Sequence, residues 1–280
     1  VRRKDRRDQQ ALLSRTMRFS PYNQTTVPNI VVDGSRNDHT LLTLSHWPKS
    51  GTPDELKADT SAEIAFKYLD SPKFHVTSDV VTNNHFDQDG LVGVFALIDP
   101  VTANRHRDLL IDVASAGDFG VFESRDAVRI NFAISSMADP ATSLFPKSIF
   151  QLPYPKMAAE LYIRTLDVLP QLIAEPANFK SIWETEDAQL RESEELVKEG
   201  IVTIEEHPDL DFAVVQLPER LVAHRVHRFT SSQKSECHPL AIYNATPCTR
   251  IVLCQGQHVE FQYRYESWVQ LVSRKPAARV

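Results

Sequence analysis

The sequence predicts an α/β protein: a mainly parallel sheet with flanking helices, followed by a smaller C-terminal α+β domain. Three observations carry this. Short β-rich runs alternate with helix-spaced apolar segments through the first half; long helix-like sequence takes over from Lys156; and two hairpin-like pairs of runs follow residue 200.

The basic opening, Val1 to Asn23, is expected to be flexible. VPNIVVDG then reads as a strand ending at Asp33 and Gly34, and TLLTLSHW as a second strand presenting His46 near its end. GTPDELKADTSAEIAFKYLD has a Thr-Pro-Asp start signal and apolar Leu56, Ile64, Ala65 and Leu69, so it reads as a loop and then a helix centred on Ala62 to Tyr68. VTSDVVTNNHFDQDG is a short β-rich run into a polar loop. LVGVFALI after it is an apolar helix ended by Asp99-Pro100. LLIDVASAGDFGVF is a further apolar run carrying Asp112 and Asp118, and DAVRINFAISSM reads as helical. KMAAELYIRTLDVLPQLI and ETEDAQLRESEELVKEG are helices, the second exposed and closed by Gly200. IVTIEEHPDLDFAVVQL turns across Pro208-Asp209 as a hairpin, and TRIVLCQGQHVEFQYRYESWVQLV reads as another. The expected division is a flexible segment 1–23, an α/β domain 24–150, a helical connector 151–200 and an α+β domain 201–280.

The chain has 280 residues, 42% of them hydrophobic, a net charge of -6 and a pI near 5.9. That balance argues against extended nucleic-acid binding and against an anionic membrane surface, while leaving room for a small anionic substrate held by local positive charge. Cys237, Cys248 and Cys254 form no C-x-x-C pair, so reduced thiols in a cytoplasmic protein are expected. No run approaches the roughly 20 apolar residues of a membrane span, and VRRKDRRDQQALL is too charged for a signal-peptide core. The sequence leaves a homo-oligomer open.

NNHFDQDGLV, Asn83 to Val92, places a histidine and two carboxylates on alternate positions before a glycine. Carboxylates with a neutral imidazole and no nearby thiolate suit Mn²⁺ or Mg²⁺. If the loop continued strand-like from Val81, His85, Asp87 and Asp89 would share a face at the carboxyl end of a strand, where open α/β sheets bind ligands. Gly90 would then let the backbone turn into the helix. The alternative is structural: Asp89 caps the helix and His85 is an ordinary loop residue.

HFDQDG resembles the first motif of the DHH phosphoesterase superfamily, a strand leading into an H-x-D-x-D-G loop and a small apolar helix. The likeness covers Val80 to Leu97. It implies a pair of divalent ions, usually manganese, with His85 and Asp87 serving one and Asp89 the other. The family's D-H-H triplet and G-G-G-H motif do not appear. VVDG with Asp33, SHW with His46, and ADTSAEIAFKYL all precede HFDQDG, although a segment like the last follows the triplet in the family. The resemblance therefore implies a circularly permuted or strongly divergent member, in which LLIDVASAGDFG resembles the helix closing the catalytic domain. Membership of an uncharacterised bacterial family is also expected.

Asp33 is a candidate bridging carboxylate, though turn chemistry before Gly34 also explains it. His46 is a candidate ligand or general acid, and Asp118 a candidate catalytic group, since a carboxylate in so apolar a segment needs a cation or amides if buried. Asp59 or Thr60 reads as a helix cap. AGDFG is no kinase motif, because the Gly-rich loop and H-R-D segment are missing. Arg225 and Arg228 in AHRVHRF, with Arg264 in RYESW, set cations beside aromatics and are candidates for substrate contact, or else a solvated strand edge. The expected function is a metal-dependent hydrolase of a small phosphate ester, nucleotide, oligonucleotide or polyphosphate, using two Mn²⁺ or Mg²⁺ ions held by His85, Asp87, Asp89 and Asp33. The alternative is a DHH-like binding or regulatory protein without turnover.

Overall fold

The structure is a computed structural model that describes residues 17–228, 230–265 and 269–273. It is an α/β protein built on a four-stranded parallel sheet. The strands are β1 (Arg18–Phe19), β2 (Asn29–Val32), β3 (Thr40–Leu44) and β4 (Val80–Thr82), in the order β1-β4-β2-β3. Every pairing is parallel, so all four strands point their carboxyl ends to the same side. β2 and β4 are buried along their whole length, which explains their unbroken apolar runs. The strand ending before Asp33 lies directly beside the strand leading to His85, and the strand ending before His46 lies one place further out, beside β2.

β2 returns to β3 through residues 33–39 alone, much shorter than the dozen or so residues usual between parallel neighbours. Side chains pin this crossover: the Tyr22 hydroxyl donates to the carbonyls of Ser35 and Arg36, and Asn29 Nδ2 to Asn37 Oδ1. Residues 1–16 of the expected flexible segment lie outside the described residues, whereas Arg18–Phe19 joins the sheet and Phe19 stacks on Tyr162.

α1 (Ser61–Leu69) is capped by Thr60, which accepts from Glu63 N, and α2 (Gln88–Ile98) by Asp87, which accepts from Gly90 N. α3 (Pro100–Arg105), α4 (Arg107–Asp118) and α5 (Arg125–Ala138) follow. α2 is buried on nearly every side, between the sheet and helices α1 and α4, which suits its near-continuous apolar sequence. It approaches β2 so closely that a Cβ on Gly93 would stand 2.5 Å from Val32 Cγ1. α6 (Tyr154–Ala174) and α7 (Glu184–Lys198) are the two long helices of the second half.

The C-terminal part holds β5 (Thr203–His207), β6 (Phe212–Leu217), β7 (His224–Arg228), β8 (Ser231–Ser235), α8 (Pro239–Ala245), β9 (Arg250–Gln255) and β10 (His258–Tyr263). β5 with β6, and β9 with β10, form the two expected hairpins. β6 pairs parallel with β9, giving a mixed sheet in the order β10-β9-β6-β5. β7 and β8 pair separately. One apolar core runs from Met17 beside the parallel sheet to Leu253 in β9. Among the described residues, no helix is long and apolar enough to cross a membrane.

β7 is fastened to the helices by a buried charge network. His227 Nδ1 meets Glu186 Oε2 of α7, its backbone N–H donates to Glu186 Oε1 at 2.6 Å, and its Nε2 lies 3.1 Å from Asp139 Oδ2, just after α5. Arg225, a candidate substrate contact, spends its guanidinium on Asp139 in this network.

Candidate metal centre

Asp33 follows β2, His46 lies two residues beyond β3, and residues 83–89 follow β4. The parallel sheet therefore delivers all of these side chains to one end. Asp118 reaches the same place from the end of α4. Asp33 has φ 48°, a left-handed conformation costly for a non-glycine residue, and it is held there with its side chain fully buried.

The candidate ligand atoms form two sets that share Asp33. The inner set is Asp33, His46 and Asp89. His46 Nε2 stands 3.4 Å from Asp33 Oδ1, 3.8 Å from Asp89 Oδ2 and 3.5 Å from Asp118 Oδ2. The outer set is Asp33, His85 and Asp87, with His85 Nε2 at 3.2 Å from Asp33 Oδ2 and 2.8 Å from Asp87 Oδ2. The inner side chains are sealed, whereas His85 is 23% and Asp87 12% exposed, so the outer set faces the way in.

Neighbouring groups orient several of these candidate ligands. His46 Nδ1 lies 2.6 Å from the Asp59 carbonyl, which can only accept, so Nδ1 carries a hydrogen and Nε2 is the ring nitrogen directed at the three carboxylates. Ser61 Oγ donates to Asp33 Oδ1 at 2.8 Å. The N–H groups of Ser61 and Ala62, at the amino end of α1, donate to the two oxygens of Asp89, both at 2.7 Å. Trp47 lays its ring against His85, with centroids 5.3 Å apart.

Electrostatics in the centre call for positive charge. Burial, and then the charges of Asp33 and Asp87, push Asp89 up to about 7. Burial, and then Asp89, Asp87 and Asp33, push Asp118 well above the carboxylate range, and both of its oxygens are buried without a hydrogen-bond partner among the described residues. Burial alone would raise Asp33 as well. The hydrogen bond and charge of His85, with help from His46 and Ser61, instead hold it below its usual value. Burial would depress His85, but Asp87 and Asp33 raise it well above the usual histidine range, so in the metal-free centre an imidazolium occupies the gap between these two carboxylates.

The donor set fits hard divalent ions. Oxygen and imidazole ligands about 2.0–2.1 Å from a magnesium ion stand about 3 Å apart when adjacent and about 4 Å when opposite, the range found around His46. Four carboxylates and two neutral imidazoles carry a charge that two divalent ions neutralise. We expect Asp118→Asn to stabilise the metal-free protein by about 1–3 kcal/mol at neutral pH, and to weaken divalent-ion binding by at least about tenfold. Thermal unfolding in chelator, compared with unfolding in Mn²⁺, measures both effects.

Several expectations change in detail. His85, Asp87 and Asp89 converge, but not through strand pleating: α2 begins at Gln88, so Asp89 sits inside its first turn and Asp87, not Asp89, is the cap. Gly90 adopts no special turn; a Cβ there would stand 2.2 Å from Asn83 Nδ2 and 2.7 Å from the Tyr162 hydroxyl. His46 and Asp118, read as catalytic candidates, lie in the same buried cluster as Asp33 and Asp89. Thr60 is the cap of α1, while the Asp59 carboxylate accepts from Val272 and Ser273 N–H and its carbonyl orients His46. Ser61 was missed, although its place in ADTS, opening an apolar helix, was the available signal.

The candidate cations part company. Arg225 engages Asp139. Arg228 and Arg264 flank the Tyr243 ring at 5.3 and 5.6 Å, and Arg264 also lies over Tyr265 at 5.5 Å. Tyr265 meets Phe119, the neighbour of Asp118, at 5.4 Å, and Gln270 N–H donates to the His46 carbonyl. The C-terminal part thus leans on the wall of the centre. Glu266 to Trp268 of RYESW lie outside the described residues.

Fold and site together define an α/β protein with a buried histidine–carboxylate centre at the carboxyl end of a parallel sheet. The chain belongs to a family of unknown function (DUF6687), whose sequence profile matches residues 15–280. No curated protein and no solved structure matches it.

Proposed function

We propose that this protein is a metal-dependent phosphoesterase-like hydrolase with two Mn²⁺ or Mg²⁺ ions. The observation carrying this reading is that Asp33 belongs to both ligand sets, as a carboxylate bridging two ions would. Asp33, His46, Asp89 and Asp118 would hold the inner ion, and Asp33, His85 and Asp87 the outer one. When bound, such a pair supplies charge for phosphoryl oxygens and makes a water acidic enough to attack phosphorus. Ser61 and the Asp59 carbonyl keep Asp33 and His46 in register, and the amide groups of α1 hold Asp89. The partly exposed His85 and Asp87 mark the side from which a small phosphorylated substrate enters, and Trp47 shields the imidazole face there. Arg228, beside the Tyr243 ring, is the C-terminal cation that would meet a phosphate, whereas Arg264 is buried and donates to the Thr246 carbonyl. The free thiols of Cys237, Cys248 and Cys254 support a reducing, cytoplasmic setting.

Purified protein in Mn²⁺ should hydrolyse at least one member of a panel of phosphomonoesters, phosphodiesters, nucleotides, cyclic dinucleotides, short oligonucleotides and polyphosphate. Chelator should abolish the turnover. Bound metal with no turnover across the panel would favour the second reading, a metal-holding regulatory protein, which the missing D-H-H and G-G-G-H motifs support.

A further inference from the structure

The two edges of the C-terminal sheet differ in kind. β5 carries Glu205 and Glu206, charges that discourage another strand from adding. β10 has no proline, one carboxylate, Glu260, and two large apolar side chains in solvent, Val259 at 63% and Phe261 at 50% exposed. Its aromatic side chains continue a row across the outer face: Phe212 stacks on Phe261 at 6.4 Å, and Phe261 meets Tyr263 at 5.0 Å.

The outward backbone groups of Val259 and Phe261 are open as well. Arg264 N–H donates to the Thr249 carbonyl just beyond the ladder, and antiparallel bonding alternates along a strand. Gln262, Glu260 and His258 therefore face β9, while Val259 and Phe261 turn their N–H and C=O groups outward. Among the described residues, neither has a backbone partner on that side.

We propose that β10 pairs antiparallel with β10 of a second copy of this chain, about a two-fold axis at Phe261, joining the two C-terminal sheets into one. A two-fold pairing keeps each face of the sheet on its own side, so only registers centred on a residue are available, and their chemistry differs. Centring on Glu260 sets two carboxylates against each other. Centring on Val259 leaves Phe261 opposite a glutamine, the partner's Gln257. Centring on Phe261 places it against the partner's Phe261, sets Val259 against the partner's Tyr263, and sets Glu260 against the partner's Gln262. That register gathers the apolar groups on one face and apposes no like charges. The pairing also closes on itself, leaving only the acidic β5 edges at the ends. It is independent of the metal centre.

Light scattering coupled to size exclusion tests the interface. Wild type should run at twice the 31.8 kDa of one chain, and Phe261→Lys at the single-chain mass, with unchanged circular dichroism and manganese content. Phe261→Cys in a Cys254→Ser background should form an intermolecular disulfide on mild oxidation, which keeps the test decisive if the lysine variant fails to fold. A wild type at single-chain mass at its highest soluble concentration, a dimer that survives Phe261→Lys, or no cross-link would each overturn the proposal.

Discussion

Asp33→Asn is expected to abolish binding of both of the proposed divalent ions at once. Asp33 is the one residue common to the two ligand sets, and its neutral amide offers a weaker donor to each. Even groups that merely orient a ligand change metal affinity by about 10–100-fold, so loss of the shared carboxylate should exceed about 100-fold at both positions. Single-set changes should behave differently. His85→Ala should empty only the outer position, and His46→Ala only the inner one. At a hundredfold excess over its dissociation constant, each ion stabilises the folded chain by about 2.7 kcal/mol, so Mn²⁺ should raise the wild-type unfolding temperature by roughly 10 °C and that of Asp33→Asn hardly at all. Calorimetric titration and thermal unfolding would check the affinities and the shift.

Glu186→Gln should cost about 3–5 kcal/mol, because it breaks a buried charge pair and leaves His227 facing one carboxylate instead of two. The loss should appear first as release of β7 and its neighbours, seen as faster amide exchange there than in the parallel sheet. The pH dependence has two limbs. Burial would raise Glu186, but His227 and His238 overcome this and lower it from 4.5 to about 2, so its contribution is complete above 4.5 and is lost as pH falls through about 2. Burial would lower His227, yet Glu186 and then Asp139 raise it above 6.5. Its contribution is therefore complete below 6.5 and is lost as pH rises through the raised value. Docking should be firmest between 4.5 and 6.5. The stability gap between wild type and His227→Gln, read from urea midpoints, should narrow above that window; a gap constant through alkaline pH would contradict the network.

Much of the fold was legible because it follows from local pattern. β2, β3 and β4 are short apolar runs ending in polar loops, and both C-terminal hairpins carry their turn signals in Pro208-Asp209 and Gly256. The helix over 107–118 was harder to assign, since its apolar run is broken by Asp112 and Asp118, and only packing against α2 and α5 settles it. For the site, the individual residues could be read but their grouping could not. Asp33 and Asp118 meet His46 only because the sheet and α4 end at the same place. The AHRVHRF cluster shows why composition misleads. Its cations read as a surface looking for phosphate, yet Arg225 and His227 find Asp139 and Glu186, carboxylates far away in the sequence.

The central claim is that one carboxylate serves two ions, and metal stoichiometry tests it most directly. Elemental analysis after equilibration with Mn²⁺ and removal of free ion should give two manganese ions per chain for wild type, one for His85→Ala and none for Asp33→Asn. A wild type that retains no ion, or an Asp33→Asn chain that still holds two, would contradict it.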